Sequence, residues 1–334
     1  MAAARSRTHV RLPWRLRRTA IGGLMLATVL TACADSDPQA DGEEEGDAWV
    51  PGLHDISLAV DEVERTGAVL LPEQWTPDAD LPLVVTLHGS QYDGHDQIEW
   101  SEVAQSAEEE GYVVLAPDGS IEGDEGGWLW NVPGVTDAPE GTPDEVAFLR
   151  DLVQWSTDNL GTSQDDVFAT GYSGGGRLIS QAACDDPELF SAIAPVTGLR
   201  AGVPVEGPDD TWVPDPQTCE PDAATPIITF VGTDDPVNPL DGGGEDYWLY
   251  GHEEAIERWA QIGGHTDRDE TEIEDGVVVT TIGDRDIVSW SVEGAGHVWP
   301  GSPVFENETD WAGEPTYAID ASELIWEFFA EHQQ

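Results

Sequence analysis

The sequence predicts an α/β protein with a mostly parallel central sheet and helices on both faces. From about residue 51 onward, short apolar runs typical of strands alternate with segments that have one apolar helical face, and this alternation indicates a parallel sheet. A second observation is the stretch Gly171-Tyr172-Ser173-Gly174-Gly175, which matches the G-x-S-x-G turn between a strand and a helix. With 334 residues, 39% of them hydrophobic, the chain can build one large domain.

The individual elements follow from the spacing of apolar residues. Uninterrupted apolar runs predict strands, whereas apolar positions three or four residues apart predict helices. In chain order, strands are expected at 56–60, 67–71, 81–87, 112–116, 167–170, 192–196, 226–231, 277–282 and 287–292. Helices are expected at 100–110, 145–160, 177–183, 253–261 and 322–331.

Residues 1–32 have the composition of an export signal. Six arginines precede an apolar stretch at residues 20–30 that is too short to span a membrane. The stretch runs into Cys33 through Leu-Thr-Ala, which resembles the bacterial lipobox, so Cys33 is the predicted lipidation site. An ordinary signal with a nearby cysteine is the alternative, and the sequence leaves the general and twin-arginine export routes open. Residues 33–50 are acidic and nearly free of apolar residues, which predicts a flexible tether before a domain at residues 51–334.

The charge balance excludes several classes of partner. The chain has 13 arginines, no lysine and 67 acidic residues, for a net charge of −54. Six of the arginines lie in residues 1–32; without them, seven arginines face the same 67 acids, a net charge of −60. Such a surface repels nucleic-acid phosphates and anionic lipid heads, so we expect no nucleic-acid partner and membrane contact only through the N-terminal lipid. We interpret the acidity as adaptation to concentrated salt, which screens self-repulsion; a merely soluble acidic protein is the alternative.

Ser173 is the candidate nucleophile. The predicted turn forces a positive φ on this serine and leaves no room for side chains at Gly171 and Gly175. Its hydroxyl would then lie at the N-terminus of a helix, where backbone N–H groups favour developing negative charge.

Two later strand ends supply the partners that a reactive serine requires. The strand at 226–231 leads into Asp234 and Asp235, and the strand at 287–292 leads into a glycine-rich loop with His297. Because loops at the carboxyl ends of parallel strands share one edge, Ser173, Asp235 and His297 can meet there. The chain order Ser-Asp-His is the order found in α/β-hydrolases. Asp235 is the preferred acid and Asp234 the alternative.

The oxyanion donors are expected on two backbone N–H groups. The stretch from Leu87 to Ser90 follows a buried strand, where such a donor usually lies. We therefore predict the N–H groups of Ser90 and Gly174 as donors, with His88 as a structural residue of the loop.

Taken together, these motifs resemble the polyhydroxybutyrate depolymerase and feruloyl/acetylxylan esterase group of α/β-hydrolases, including its bacterial lipoprotein members. The similarity runs from about residue 55 to 332 and is carried by residues 83–90, 128–131, 144–148, 171–183, 190–198, 232–239, 294–301 and 325–329. It implies the α/β-hydrolase fold and the roles of nucleophile, acid and base for Ser173, Asp235 and His297. We expect no cofactor and no metal ion. Leu240, Gly174 and Ala295 depart from the residues common in the group, so the substrate stays open.

Two further groups of residues are candidates for structural or binding roles. Cys184 and Cys219 remain once Cys33 is assigned to lipid, and an exported chain predicts a disulfide between them, with two free thiols as the alternative. Of the 14 tryptophans, three lie near the shared motifs: Trp128, Trp130 and Trp299. Each is either a core residue or part of an apolar platform for an acyl chain, an aromatic acid or a sugar ring.

The predicted function is that of a serine esterase, exported and held on the outer face of the cell membrane by its lipid, or secreted, and monomeric. Its expected substrates are hydroxyalkanoate oligomers; the alternative is an acyl group on plant polysaccharide. A peptidase of the same fold and a non-catalytic envelope lipoprotein, such as a solute-binding protein, are the other hypotheses.

Overall fold

The computed structural model describes residues 49–334, apart from 61–62, 125 and 209–210. The predicted signal, the lipidation site Cys33 and nearly all of the predicted tether lie outside the described residues. In the part of the chain that is described, no helix combines the length and the apolar character needed to cross a bilayer.

The described elements alternate much as the sequence predicts. The strands are β1 (Gly52–Val60), β2 (Val63–Leu71), β3 (Leu81–Leu87), β4 (Val113–Pro117), β5 (Ile121–Glu122), β6 (Trp128–Leu129), β7 (Thr162–Tyr172), β8 (Ala192–Val196), β9 (Pro204–Glu206), β10 (Trp212–Pro214), β11 (Ile227–Gly232), β12 (Arg268–Glu274), β13 (Val277–Ile282) and β14 (Ile287–Val292). The helices are α1 (Gly94–Trp100), α2 (Val103–Glu110), α3 (Glu145–Leu160), α4 (Gly174–Asp185), α5 (His252–Gly263), α6 (Thr309–Ala312) and α7 (Ala321–Glu331), and a 3₁₀ helix spans Pro303–Asn307.

Ten of the strands form one sheet, in the order β1-β2-β4-β3-β7-β8-β11-β14-β13-β12. The six neighbouring strands from β4 to β14 are parallel. Antiparallel strands flank them on both sides, β1 and β2 at one edge and β13 and β12 at the other. The carboxyl ends of β3, β7, β11 and β14 therefore lie along the same side of the sheet, as the prediction of a mostly parallel sheet requires.

Helices cover both faces of the sheet, which confirms the predicted fold class. Successive residues of the central strands point to opposite faces. In β3, Val85 packs with residues of α3, α4 and α5, whereas its neighbour Val84 packs with residues of α2 and α7. Each face thus has its own hydrophobic core, and central strands that are mostly apolar on both faces fit this two-sided burial.

Two predicted elements differ from the structure. The helix expected at 100–110 begins only at Val103, as α2, because the chain turns at Ser101 and Glu102, where Glu102 has a φ of 50°; the separate helix α1, which ends at Trp100, was not predicted. The prediction also missed β12, a strand in which every residue is exposed. Its Arg-Asp-Glu-Thr-Glu-Ile-Glu sequence has no apolar alternation, so only its pairing with β13 makes it a strand.

Candidate active site

Ser173 occupies a sharp turn between β7 and α4. Its φ of 49° and ψ of −108° lie outside the regions that serine ordinarily adopts. The turn is closed by close backbone packing: a Cβ on Gly171 would lie 2.6 Å from the carbonyl carbon of Gly175, and one on Gly175 would lie 2.2 Å from the carbonyl oxygen of Leu87. The predicted positive φ and the predicted need for small neighbours are therefore confirmed.

The Ser173 hydroxyl is left available by the way α4 begins. Ser173 is the N-cap residue of α4, yet its side chain accepts no hydrogen bond from the first turn of the helix. The backbone holds the residue instead, because its N–H donates to the carbonyl of Val196 at 2.9 Å and its carbonyl accepts from the N–H of Arg177 at 3.0 Å. The Ser173 hydroxyl is thus not used to cap the helix and can react with a molecule in the cleft.

Asp235 is held rigidly after the end of β11. One carboxylate oxygen, Oδ1, accepts from the backbone N–H groups of Val237 and Asn238 at 2.8 and 2.7 Å. The other, Oδ2, lies 2.7 Å from Nδ1 of His297. The carboxylate is fully buried, whereas its neighbour Asp234 is exposed and contacts the hydroxyl of Thr233. Of the two candidate acids, the structure brings only Asp235 to the histidine.

His297 is buried with its ring oriented by two contacts. Since a carboxylate only accepts, Nδ1 donates to Asp235, which leaves Nε2 as the nitrogen that can take a proton. The Tyr172 hydroxyl donates to the His297 carbonyl at 2.6 Å, and its ring lies 5.1 Å from the imidazole. Burial raises the pKa of Tyr172 well above its usual value, so this hydroxyl stays a donor.

Ser173 and His297 open onto one cleft of about 420 Å³. Its lining residues are Ser90, Gln91, Tyr92, Tyr172, Ser173, Val237, His297, Glu308 and Trp311. The two predicted oxyanion donors are also neighbours, because a Cβ on Gly174 would lie 3.3 Å from the backbone nitrogen of Ser90. Neither N–H is hydrogen-bonded to another described residue, so both can bind an anionic oxygen.

The loop that carries Ser90 is fixed from below by His88 and Trp130. The imidazole of His88 donates from Nδ1 to the Gly89 carbonyl at 2.7 Å and accepts at Nε2 from the Gly119 N–H at 3.0 Å. Burial lowers the pKa of His88 to about 4, so the ring is neutral near pH 7, as an accepting Nε2 requires. The indole of Trp130 stacks on this ring and donates to the His88 carbonyl at 2.8 Å. His88 thus lies where the sequence places it, inside the loop.

Of the two alternatives for the tryptophans, core residue or platform, the structure supports the core for Trp130 and Trp299. Both are buried, in opposite cores, and both indole N–H groups are taken, by the His88 carbonyl and by the Ser322 hydroxyl. Trp128 is half-buried in the β5–β6 hairpin, where its backbone pairs with that of Tyr92, and it does not line the cleft. Adjacency in sequence to a shared motif did not place these rings at the surface.

The aromatic residue that does reach the cleft is Trp311, in α6. Its ring lies 6.2 Å from the imidazole of His297, and its Nε1 donates to Glu308 at 2.5 Å. Sequence reasoning missed both residues because they lie 11 and 14 positions beyond the histidine. Backbone hydrogen bonds from the N–H groups of Gly296 and His297 to the carbonyls of Glu314 and Ala312 hold the end of α6 beside the site.

The predicted disulfide between Cys184 and Cys219 is present. It joins the end of α4 to the segment that precedes β11, 35 residues along the chain. The bridge therefore links the element that follows the candidate nucleophile to the one that leads to the candidate acid.

Comparison with curated proteins identifies related sequences. A family model described as "Putative esterase" matches residues 60–286. The chain is 26% identical over 259 residues to "Putative esterase NocK" of Nocardia uniformis subsp. tsuyamanensis, covering 70% of this chain and 68% of that protein. It is 28% identical over 211 residues to "Feruloyl esterase B" of Piromyces equi, covering 60% of this chain. It is 24% identical over 196 residues to "Acetylxylan esterase A" of Aspergillus oryzae, covering 55% of this chain. The chain spans 36% of the feruloyl esterase and 62% of the acetylxylan esterase.

Solved structures support the same fold. The chain resembles an acetyl xylan esterase from Aspergillus awamori with a TM-score of 0.52 at 18% identity, covering 78% of this chain and 98% of that one. It resembles an S-formylglutathione hydrolase from Agrobacterium tumefaciens with a TM-score of 0.54 at 15% identity, covering 84% and 95%. At this identity the likeness concerns the fold, which is that of the α/β-hydrolases.

Proposed function

Because the chain belongs to this family of esterases, we propose that it hydrolyses carboxylic esters through an acyl-enzyme on Ser173. The observation that carries the proposal is the 2.7 Å contact between His297 Nδ1 and Asp235 Oδ2 at the cleft onto which Ser173 opens. A buried acid behind a histidine, beside a serine in a strained turn, is the arrangement that makes a hydroxyl nucleophilic.

The proposed reaction has two halves. Nε2 of His297 takes the Ser173 proton while Oγ attacks the ester carbonyl, and Asp235 stabilises the imidazolium that forms. The carbonyl oxygen becomes an oxyanion that accepts from the N–H groups of Ser90 and Gly174, each worth about 10²–10³ in rate. The imidazolium then gives its proton to the departing alcohol. Water, deprotonated by the same imidazole, cleaves the acyl-enzyme and releases the acid.

For the substrate, we propose an acyl ester on a plant polysaccharide fragment. The support is the names of the related feruloyl and acetylxylan esterases and the cleft itself, which combines the half-buried Trp311 with the polar side chains of Gln91 and Glu308. An aromatic face bordered by hydrogen-bonding groups suits a hydroxyl-rich sugar ring. Hydroxyalkanoate oligomers are the second candidate, on the strength of the motifs shared with polyhydroxybutyrate depolymerases.

A panel of esters separates these substrates. We would compare kcat/KM for acetylated xylo-oligosaccharides, methyl ferulate, hydroxybutyrate oligomers and p-nitrophenyl acetate, in concentrated salt, with Ser173→Ala as the blank. The proposal expects one of the two plant-wall esters to exceed the hydroxybutyrate oligomers by at least about tenfold, a discrimination that a few polar contacts supply. Equal or faster cleavage of the hydroxybutyrate oligomers would reverse the order of the two candidates.

The cellular setting is proposed from sequence alone. Residues 1–32 would be the signal, Cys33 the lipidated N-terminus, residues 33–50 a tether, and residues 51–334 the catalytic domain, acting as a monomer at the outer face of the membrane. Replacing Cys33 by serine should move the esterase from the membrane fraction to the medium or the soluble fraction. An unchanged membrane fraction would contradict the lipid anchor.

A further inference from the structure

Two arginines beneath the active site are buried without a carboxylate partner. Seven arginines lie in the described part of the chain, and four of them form ion pairs with acidic side chains: Arg65, Arg150, Arg268 and Arg285. Arg177, in α4, and Arg200, after β8, are each only 4% exposed, yet no described carboxylate lies within ion-pair distance of either. With 67 acidic residues against 13 arginines in the full sequence, the missing pairing does not reflect a shortage of acids.

Burying these cations costs free energy that aromatic rings offset in part. Burial, and after it the positive charge of Arg200, lowers the pKa of Arg177 to about 10. The guanidinium lies 4.8 Å from the centre of the Tyr247 ring and 5.5 Å from that of Trp248, close enough for cation–π attraction. Its Nε has no hydrogen-bond partner among the described residues. Because burying an unpaired charge is costly, we infer that Arg177 has a role beyond packing.

The hydrogen bonds of Arg177 lead to the proposed acid. One guanidinium nitrogen, Nη2, donates to the side-chain oxygen of Asn238. The side-chain amide of Asn238 donates in turn to the Thr197 carbonyl. With its side chain held at both ends, Asn238 presents its backbone N–H to Oδ1 of Asp235 at 2.7 Å. Arg177 is thus two hydrogen bonds away from the carboxylate that contacts His297.

Arg200 has the same burial but leads elsewhere. Its Nη1 donates to the Tyr247 carbonyl at 3.2 Å, and its guanidinium lies 4.1 Å from the centre of the Tyr250 ring. Among the described residues, those that the Arg200 side chain contacts are not hydrogen-bonded to Asp235. Both arginines also face Trp248, at 5.5 and 5.7 Å. The chain therefore contains a matched control: two buried cations against one indole, of which one is connected to the site.

We propose that Arg177 is a positioning residue for Asp235 and that its charge sets the pH range of the enzyme. The inference rests on the proposed role of Asp235 as the acid of the esterase. Through Asn238, Arg177 fixes the backbone that orients the carboxylate. Its positive charge also attracts the negative charge of Asp235 and repels the positive charge that forms on the neighbouring imidazole during the reaction. The other ionisable groups facing this cluster are Arg200, Tyr247 and Tyr172 around Arg177, and Glu308 across the cleft from His297.

The test compares Arg177→Met with Arg200→Met, both measured for kcat, KM and the pH dependence of kcat/KM. For Arg177→Met we expect kcat to fall about 10- to 100-fold with little change in KM, because a small displacement of a catalytic group has this effect. The acidic limb of the pH profile should move to higher pH by about 0.5–1 unit, since an opposing positive charge is lost. Arg200→Met should stay within about twofold in kcat, with the acidic limb unmoved.

Asn238→Ala keeps the test decisive if Arg177→Met does not fold. It removes the hydrogen-bonded link but leaves the cation, so kcat should fall by about tenfold while the acidic limb stays in place. Arg177→Lys retains the positive charge, so the acidic limb of its pH profile should lie at the same pH as in the wild type. The inference is overturned if the variants at 177 and 238 that fold retain kcat within twofold, or if Arg177→Met and Arg200→Met behave alike. A failure of the proposed function differs, because wild-type activity would then survive Ser173→Ala.

Discussion

Charged side chains are buried at the floor of the cleft but exposed at the outer edge of the sheet. At the floor, Asp235 and His297 are buried, and both carboxylate oxygens of Asp235 and Nδ1 of His297 have fixed partners. At the edge, β12 exposes all seven residues, four of them acidic. Buried, hydrogen-bonded groups interact at short range in a medium that salt hardly reaches, whereas exposed charges are screened within a Debye length. The acid at the candidate site is therefore buried and individually positioned, whereas the acids of β12 face the solvent together.

The largest expected effect comes from the serine on the cleft side of this comparison. Ser173→Ala should lower kcat on esters by about 10⁶-fold, as removal of the nucleophile does in other serine hydrolases. Ser57→Ala, on the exposed edge strand β1, removes an equivalent hydroxyl that contacts Glu64 and should leave kcat unchanged. Steady-state kinetics on p-nitrophenyl acetate measures both. Retention of more than about a hundredth of wild-type kcat in Ser173→Ala would remove Ser173 from its role.

Neighbouring carboxylates offer the sharpest form of the comparison. Asp235→Asn should lower kcat by about 10⁴-fold, because an amide favours the wrong imidazole tautomer while it preserves the geometry. Asp234→Asn removes the same charge one residue earlier, on an exposed side chain, and should change kcat by less than about twofold. Both variants are measured at the same pH and salt concentration. An equal loss of kcat in the two variants would mean that the buried acid is no more important for catalysis than the exposed one.

Removal of the disulfide tests how much this bridge between α4 and the segment before β11 contributes to the free energy of unfolding. Replacing Cys184 and Cys219 by serine together should lower the free energy of unfolding by about 3–4 kcal/mol, since a 35-residue loop is no longer closed in the unfolded chain. Urea unfolding with and without reductant measures the loss. A double variant as stable as the wild type, or a wild type indifferent to reductant, would count against this contribution.

The dependence of stability on salt tests the role of the exposed charges. For each residue, the expected change in stability is the smallest of these predictions. Added sodium chloride should raise the unfolding temperature, because screening weakens repulsion within a chain of net charge −54. Neutralising Glu270, Glu272 and Glu274 on β12 should reduce that gain by about a few tenths of a kcal/mol for each residue. Thermal unfolding in low and in molar salt provides the measurement. An unfolding temperature that does not rise with salt would end the interpretation as salt adaptation.

Much of the fold could be predicted because its information is local. Buried parallel strands such as β3 are nearly continuous apolar runs, and the turn at Ser173 needs small residues at fixed spacing. The break at Glu102 and the strand β12 could not be predicted, because neither has an apolar pattern of its own. Their conformations depend on neighbouring elements.

The candidate site was predictable where residues lie at strand ends, and not elsewhere. Ser173, Asp235 and His297 follow β7, β11 and β14, whose carboxyl ends a parallel sheet brings together. Trp311 reaches the cleft only through the return of α6, and Arg177 reaches Asn238 only through tertiary packing. Such contacts leave no periodic trace in the sequence. For the same reason, loop position left open whether Trp130 and Trp299 belong to the core or to the cleft, and only packing shows that both are buried.

The central claim is that Ser173 is a reactive nucleophile, and covalent labelling tests it most directly. The folded protein is treated with a fluorophosphonate, digested, and the modified peptide is sequenced by mass spectrometry. The account predicts one stoichiometric adduct on Ser173, which is lost in Ser173→Ala and strongly slowed in Asp235→Asn. A folded, unlabelled wild type, or an adduct on another serine, would contradict the account.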